Sequence, residues 1–451
     1  MKLIAVCFTI VLFFSTATLY SGETNLEGDS LRETINYGTD NEIAELIKKL
    51  RADGIDYLDD DMIELAEKTK NQNILTGIFS FFNEREKRGL EKTALQILNG
   101  RENEMPQKIN AALDYLGAVK EREALPVIME IIKQDDTRFH NAAINALGKI
   151  RYSEMEETDG GAADVTEVLI DYSNNRNPGG GTREAIIFAL GGGGKDALPF
   201  LTGIINGEDQ SVPIRMAALG AAGRIKNDDA LDMIIASAAS ADPNIRFAAV
   251  DALAAFSGER VDAMILEGFR DIYFKTRLAA VRAAKTRRLK DAVPYLRYRV
   301  EKDEAAAVRE EAVLALGAMG DAQTDALLFQ LAGNEKISDG LRSLCAEMLV
   351  KNNADEYAEK IIAALNDAKA KKLTNLYKGL LKALSAAKTN KVENLTARLF
   401  ASKDVSEKFY ALDMTANNRF TAFRDEVEKL TKDKNISISE RAKKTLEKLD
   451  D

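Results

Sequence analysis

Apolar residues recur along most of the chain at helical spacing, in segments that repeat one nine-residue template. The fourth position is small and usually alanine, the fifth is apolar, the eighth is mostly apolar and the ninth is often glycine. Apolar residues three and four apart form one stripe of a helix, and a glycine just beyond it is typical of a helix end. Ten segments fit the template, and they begin at Ile109, His140, Arg183, Arg215, Arg246, Arg277, Arg309, Arg342, Tyr377 and Lys408.

The spacing of these segments predicts a repeat architecture. Most of them start 31 to 35 residues after the previous one, and one gap is 43 residues (183 minus 140). A second apolar-periodic stretch follows each segment, such as DALPFLTGIIN at 196–206. Each unit is therefore a helical hairpin that must bury its apolar stripe against neighbouring units. We predict an all-α fold, an α-solenoid of stacked antiparallel helix pairs that follows a cleavable signal peptide.

The pattern divides the chain into four parts. Residues 1–21 are predicted to be the signal peptide, and residues 22–105 a helical cap or a set of degenerate repeats. The repeat solenoid is predicted over 106–435, with a loop insertion near 153–182 that is rich in glycine, asparagine and aspartate. The amphipathic end, 436–451, is predicted to be a capping helix, because a terminal repeat needs a polar outer face.

The N-terminus has the layout of a secretory signal. Lys2 precedes an apolar run from Leu3 to Phe14, which is too short to span a membrane, and cleavage is expected after Ala17 or Ser21. Without Lys2 the balance is 61 basic (62 minus 1) against 72 acidic residues, or −11. Cys345 would be the remaining cysteine, so no internal disulfide is expected. We expect a soluble, exported protein that is periplasmic or secreted.

An arginine occupies the first position of most template segments, and an aspartate often lies in the turn before it. Asp209, Asp242 and Asp303 are examples. A residue that is required in every unit is rarely a functional one. The recurrence therefore predicts a structural ladder of turn caps and ion pairs between successive repeats.

These motifs resemble a known family. The unit of about 31 residues, with R-x-x-A-V/A-x-A-L-G in the template helix and A-L-P-x-L in the other helix, resembles the short HEAT-like repeat. That repeat type is found in phycobilin lyases and in many bacterial scaffolding proteins. The resemblance covers residues 109–420 and implies an α-solenoid. It implies partner binding more than chemistry, and no catalytic motif of a HEAT-like enzyme matches this sequence.

A glycine-rich stretch at 179–200, GGGTREAIIFALGGGGKDALPF, raises the question of a phosphate-binding loop. Such a loop needs G-x-x-x-x-G-K-[ST] after a strand. Here Gly194 and Lys195 are followed by Asp196, the first glycine position holds Ala189, and a helix precedes the run. The stretch is therefore predicted to be a turn between helices, with no nucleotide site.

The sequence offers no convincing catalytic or metal-binding group. Its one histidine, His140, occupies the slot that arginine holds in other repeats, and Cys345 occupies the small fourth position. We predict a structural role for both residues. We predict no catalytic residue, no cofactor and no metal site.

The segment 270–299, which we call the basic band, has an unusual charge. It carries ten cations and two acids, +8 in a chain whose net charge is −10. Such a band could hold an anionic partner, or it could compensate acidic neighbours in adjacent repeats. The candidate partner-binding residues are Arg277, Arg282, Lys285, Arg287, Arg288, Lys290, Tyr295, Arg297, Tyr298 and Arg299.

From these features we predict an exported, non-enzymatic scaffold that binds a protein or peptide, acidic in character, through its solenoid surface. One alternative is an enzyme or cofactor chaperone of the bilin-lyase type. The other is a nucleic-acid-binding HEAT-like protein, which the export signal and the negative net charge disfavour. The partner's identity and the binding face stay open at this point.

Overall fold

The structure is a computed structural model in which residues 22–53, 57–134, 137–150, 152, 162–176 and 178–450 are described. These residues form 25 α-helices and short 3-10 turns, with no strand among them. The all-α solenoid of helix pairs is therefore confirmed. The signal peptide predicted at 1–21 lies outside the described residues, as do residues 153–161 and 177 of the insertion loop predicted near 153–182. The rest of that segment is described and contains a helix, Ala162–Arg176.

The chain divides into two compact units, residues 1–200 and 201–451. The helices that begin in the first unit are α1 (Gly22–Tyr37), α2 (Asp40–Asp53), α3 (Asp59–Lys68), α4 (Gln72–Asn83), α5 (Glu91–Asn99), α6 (Pro106–Ala118), α7 (Leu125–Lys133), α8 (Thr137–Lys149), α9 (Ala162–Arg176), α10 (Gly180–Leu190) and α11 (Leu198–Asn206).

The second unit contains the remaining helices. They are α12 (Val212–Ile225), α13 (Asp228–Ala238), α14 (Pro243–Leu253), α15 (Glu259–Gly268), α16 (Phe274–Arg287), α17 (Val293–Lys302), α18 (Ala306–Met319), α19 (Ala322–Ala332), α20 (Asp339–Ala370), α21 (Thr374–Ser385), α22 (Glu393–Phe400), α23 (Val405–Asn418), α24 (Arg424–Leu430) and α25 (Ile436–Asp450).

In the second unit the template segments form one continuous layer of helices, which we call the template layer. It consists of α12, α14, α16, α18, the first half of α20, α21 and α23 in chain order, and α25 packs at its end. The small fourth positions make this packing possible, because Ala218, Ala249, Ala280 and Ala312 are completely buried between helices. In the first unit α6, α8 and α10 pack on one another in the same way.

The ninth-position glycine follows the end of its helix at Gly191, which caps α10, but at Gly223 the predicted helix end is wrong. Gly223 lies inside α12, and a Cβ at this position would lie 2.9 Å from the Cβ of Ala252 in the next template helix. The glycine is needed for this close approach between helices. The helix ends three residues later at Lys226, whose φ of 55° breaks the helical path.

Helix α20 contains both helices of one repeat. Asn353 has non-helical backbone angles (φ −153°, ψ 78°), so the template helix ends there and the second helix of the pair begins. Cys345 lies in the template half and is completely buried. Burial raises the pKa of its thiol to about 12, so the thiol is protonated at neutral pH, as expected of a side chain that packs between helices.

Other helices form the two ends of the described chain. Residues 22–105 contain α1 to α5, and α4 packs on the template helix α6. At the C-terminus, α25 packs on α23 and α24. Ile438 and Ala442 of α25 are buried there against Leu412 and Val427. The outer face of α25 is charged and exposed.

Candidate functional site

The first template position ties successive repeats together at the edge where the turns lie. The guanidinium of Arg246 holds both carboxylate oxygens of Asp271 at 2.7 and 3.0 Å. Arg277 holds Asp303 in the same way at 2.8 and 2.9 Å. Each aspartate lies in the turn that precedes the next template helix. The predicted ladder of ion pairs between repeats is confirmed for these repeats.

The same position also fixes the turn of its own repeat. The arginine donates from Nη1 to the carbonyl six residues upstream, as Arg309 does to Asp303 at 2.6 Å. His140 takes over this contact in its repeat, because its Nε2 lies 2.8 Å from the carbonyl oxygen of Gln134, again six residues upstream. The structural role predicted for His140 is confirmed.

Arg277 is therefore committed to the ladder. Its side chain is 6% exposed, and that of Asp303 is completely buried. Burial by itself raises the pKa of Asp303. The hydrogen bonds from Arg277, the Ala305 amide and Arg299 outweigh it, and the pKa lies below its usual value. The carboxylate in turn raises the pKa of Arg277. Both groups are charged in the folded protein, and neither is accessible to a partner.

Most other charged members of the basic band also have acidic partners. These ion pairs join Arg287 to Asp262, Arg297 to Glu301, Arg299 to Asp303, Arg282 and Lys285 to Glu311, and Lys290 to Asp321. The weakest are those of Arg282 and Lys290, at 4.0 and 3.9 Å. This pattern supports charge compensation between adjacent repeats for most of the band.

The two tyrosines of the band lie on α17, in the other helix of the repeat. The hydroxyl of Tyr295 accepts a hydrogen bond from Nη2 of Arg270 at 3.1 Å. Tyr298 is 55% exposed, and the guanidinium of Arg299 lies 5.0 Å from its ring centre. A pocket lies at the C-terminal end of α16, and neither tyrosine borders it. The ten candidate residues therefore do not form one site.

That pocket lies in the template layer where α16, α18 and the first half of α20 end. It has a volume of about 400 Å³, and we call it the methionine pocket. Its walls include three cations and three apolar side chains: Lys285, Arg288 and Lys351, and Leu314, Met319 and Met348. The structure thus brings two residues of the basic band together with a lysine from the repeat after next.

Two of the three cations, Arg288 and Lys351, have no acidic partner among the described residues. Arg288 ends α16 in the left-handed conformation (φ 50°, ψ 46°), and Lys351 is exposed near the end of the template half of α20. Neither side chain has an ion-pair partner in the part of the chain that the structure describes. Lys285 lies 3.0 Å from Glu311. A cation is favourable beside the carbonyl end of a helix, so Arg288 and Lys351 need no acid for stability.

Close packing between repeats forms the apolar lining of the pocket. A Cβ at Gly317 would lie 2.7 Å from Cγ of Met348, so the thioether covers this glycine directly. The side chain of Asn352 donates to the carbonyl of Gly317 at 3.0 Å and to Asp325 at 2.8 Å, which fixes α20 against α18. The lining is therefore held in place by helix contacts and does not depend on a loop.

Sequence reasoning missed Lys351, Met319 and Met348. They lie in the two repeats after the basic band, outside any charged cluster. A signal did exist, because Met348 lies near the end of its template segment, and Met319 and Lys351 lie just beyond the ends of theirs, as Arg288 does. Aligning the ends of consecutive templates would have placed these residues at one end of neighbouring helices.

The glycine-rich stretch contains helix α10 and the start of α11, with a close-packed turn between them. Its second glycine run forms the turn between α10 and α11, in the first unit. A Cβ at Gly193 would lie 2.6 Å from Oγ1 of Thr166 and 2.8 Å from the hydroxyl of Tyr152. Glycine is required because the turn passes directly over these two side chains. The predicted turn between helices is confirmed.

The described residues contain neither a cluster of metal-ligating side chains nor a helix that could span a membrane. No group of three or more histidine, cysteine, aspartate or glutamate side chains within the described ranges could hold a metal ion. Among the same residues, no helix is both long and apolar enough to cross a membrane.

Comparisons with known proteins agree with the repeat architecture. A family model described as "Spirochaete HEAT repeat protein" matches residues 35–445. No curated protein matches the sequence. Among solved structures, the karyopherin Kap121p bound to the extreme C-terminus of the protein phosphatase Cdc14p is 12% identical, with a TM-score of 0.44 over 96% of this chain and 54% of that chain. Importin beta in an ammonium sulfate condition is 11% identical, with a TM-score of 0.44 over 93% and 67%. The chain thus spans about half the length of the Kap121p chain.

Proposed function

Because this chain belongs to the spirochaete HEAT repeat proteins, we propose that it is a non-enzymatic scaffold that binds an acidic protein or peptide segment. The binding site is the methionine pocket of the template layer. Stacked helical repeats present an extended surface of this kind, on which exposed side chains select a partner. The observation that carries the proposal is a pair of cations, Arg288 and Lys351, that lie beside an apolar lining and have no acidic partner among the described residues.

The two kinds of lining residue specify the chemistry of the partner. Arg288 offers a planar guanidinium that can bind a carboxylate through two hydrogen bonds, and Lys351 adds a compact positive charge. Met319 and Met348 are flexible and polarisable, so they adapt to an apolar side chain of the partner. The matching ligand is a carboxylate with an apolar residue next to it. A nucleic-acid backbone has phosphates for the cations but no side chain for the methionines.

Export is part of the same proposal. Its support is the sequence of residues 1–21, with Lys2 before the apolar run from Leu3 to Phe14. The partner would then be a periplasmic or extracellular protein. The negative net charge of the chain repels acidic proteins in general, so binding would depend on the local positive charge of the pocket.

Fluorescence anisotropy with a labelled synthetic peptide tests the proposal. The peptide carries four glutamates around a central leucine, and binding is measured at 50 and 200 mM salt. Arg288→Glu combined with Lys351→Glu should weaken binding at least tenfold, since it replaces attraction with repulsion in the pocket. A second peptide, with serine in place of leucine, should bind the wild type several-fold more weakly because it leaves the methionines uncovered.

The matched control is Lys290→Glu combined with Arg297→Glu. These exposed cations belong to the basic band but do not border the pocket, and the variant has the same change in net charge. The control should keep its affinity within about threefold, with unchanged helical circular dichroism. An equal loss of affinity in both variants would mean that the peptide responds only to the overall positive charge of the basic band and does not bind in the methionine pocket. Tighter binding of a single-stranded oligonucleotide than of the peptide would favour the nucleic-acid alternative.

A further inference from the structure

A second basic pocket lies further along the template layer, between α21, α23 and α25. Its volume is about 380 Å³, and we call it the tyrosine pocket. The charged and aromatic side chains in its wall are Lys382, Tyr410, Asp413, Arg441, Lys444 and Lys448. Four cations and one acid give this pocket a net positive charge inside an acidic protein.

The charges of the tyrosine pocket are only partly neutralised. Arg441 holds Asp413, with Nε 2.6 Å from Oδ1, and this pair joins α25 to α23. Lys382 lies 3.7 Å from Glu347 of α20. Lys444, Lys448 and the hydroxyl of Tyr410 have no hydrogen-bond or ion-pair partner within the described residues. Three donors therefore remain open to an anion.

Direct contacts connect the two pockets along one layer of helices. The side chain of Asn352 joins α20 to α18 through the carbonyl of Gly317. Gly379 of α21 lies so close to α20 that a Cβ there would overlap the side chain of Ser343. Asn417 of α23 donates to the carbonyl of Ser385, the last residue of α21, at 2.8 Å. Each step in the layer is a side-chain or backbone contact between neighbouring helices.

The number of helices between the pockets sets their separation. The methionine pocket is centred on α18 and the tyrosine pocket on α23, three helix-to-helix steps apart. Packed helices lie about 8–10 Å apart, so the pockets are separated by roughly 27 Å. An extended chain rises about 3.3 Å per residue, and about eight residues therefore cover this distance.

We propose that the tyrosine pocket is a second anion-binding site and that one partner segment fills both pockets, with two acidic groups about eight residues apart. This inference rests on the proposed function, because the methionine pocket supplies the first anchor. The two anchors differ in chemistry. The methionine pocket takes a carboxylate with an apolar neighbour, whereas Tyr410, Lys444 and Lys448 offer donors for a carboxylate alone.

Two linked sites would make binding depend strongly on spacing. Once the first acidic group is bound, the second binds at an effective concentration in the millimolar range, provided that the linker spans the gap. Affinity then exceeds that of either site alone by about 10²–10⁴-fold. A linker that is too short loses the whole gain, because both pockets cannot be filled together.

Oligoproline linkers provide a ruler for this test. A polyproline helix rises about 3.1 Å per residue, so nine prolines span about 28 Å. Each labelled peptide contains two glutamate clusters, one of them with a leucine, and the clusters are joined by four, nine or fourteen prolines. The nine-proline peptide should bind the wild type about 100-fold more tightly than a single-cluster peptide, and the four-proline peptide should show no gain.

Charge reversal then assigns the second anchor. Lys444→Glu combined with Lys448→Glu should reduce the affinity for the nine-proline peptide to that for a single-cluster peptide. The matched control, Lys434→Glu combined with Lys443→Glu, changes exposed lysines in or just before α25 that do not border the pocket, and it should keep the gain. A gain that survives in the Lys444/Lys448 variant, or that does not depend on linker length, overturns the inference.

The same data separate this inference from the proposed function. If single-cluster binding requires Arg288 and Lys351 but the linker gain is absent, the proposed function stands and the second site fails. The opposite result is that single-cluster affinity is unchanged in the Arg288/Lys351 variant but lost in the Lys444/Lys448 variant. The proposed function then fails, because only the tyrosine pocket binds the acidic peptide and no partner fills both pockets.

Discussion

The two ends of helix α16 carry like charges that have different roles. At its start, Arg277 is 6% exposed and holds a completely buried carboxylate, Asp303, which belongs to the turn before the next template helix. At its end, Arg288 is exposed beside the methionine pocket and has no acidic partner in the described part of the chain. One cation stabilises the stack of repeats, and the other is available to a ligand.

The difference follows from what the neighbouring repeat presents at each end. The turn after α17 brings Asp303 to the start of α16, where it also accepts the amide of Ala305 at 2.9 Å. The other end meets the ends of α18 and α20, which present carbonyls and methionines. Basic side chains are favourable near helix carbonyl ends even without a carboxylate. A count of charges in the sequence therefore cannot separate stabilising cations from available ones.

The largest effect should come from removing the cation at the start of α16. Arg277→Met leaves Asp303 buried with a weaker set of partners, and loss of one member of a buried pair costs about 3–5 kcal/mol of unfolding free energy. Arg288→Met should change it by less than about 0.5 kcal/mol, because that side chain is exposed. Urea unfolding followed by circular dichroism measures both. Similar losses in the two variants would remove the distinction between the ends of α16.

Lowering the pH should reduce the difference in unfolding free energy between the wild type and Arg277→Met. The pKa of Asp303 in the folded wild type lies below its ordinary value of 3.8, so its stabilisation is complete above about pH 4 and is lost as the pH falls further. The variant lacks the hydrogen bonds from Arg277 that help to outweigh burial, so we expect the pKa of Asp303 to be higher than in the wild type and protonation to relieve the buried charge. The difference in unfolding free energy between wild type and variant should therefore narrow as the pH falls from 6 to 3.

Other carboxylates titrate in both proteins, so only this difference reports on Asp303. Urea midpoints at pH 6, 5, 4 and 3 are sufficient. A gap that stays constant across this range would show that Asp303 does not depend on Arg277 for its charge.

The smallest effect is expected in the middle of α16, where Arg282 and Lys285 share Glu311. Both cations are more than a third exposed, so Glu311→Gln should cost less than about 1 kcal/mol of unfolding free energy. The change removes the acid that pairs with Lys285, a lysine in the wall of the methionine pocket. The glutamate–leucine peptide should therefore bind several-fold more tightly, as anisotropy would show. Unchanged or weaker binding would mean that the charge of Lys285 does not contribute to the peptide site.

The repeat architecture could be predicted because each of its determinants recurs. The alanine at the fourth position, the arginine at the first and the turn aspartates repeat often enough to define helices, stacking and the ladder, and the substitution of His140 for arginine follows from the same alignment. The helix end predicted at the ninth-position glycine is right at Gly191 and wrong at Gly223. A stop signal and a site of close helix contact both favour glycine, and only the position of Ala252 relative to Gly223 distinguishes them.

The candidate site was predicted only in part. Lys285 and Arg288 were identified by the local density of charge, and the structure places both at the methionine pocket. Arg277 and Arg299 belong to the same dense segment, yet Asp303 holds both of them. Local density contains no information about partners that lie in other repeats.

The sequence by itself determines the helices, their pairing and their stacking, because apolar spacing and small residues act locally and repeat in every unit. Only the tertiary structure decides which cations are neutralised. The acid that holds Arg277 lies 26 residues further along the chain, and the apolar wall beside Arg288 comes from two later repeats. Packing of the template layer sets both distances, and the interaction between charges depends on distance and burial, not on order along the chain.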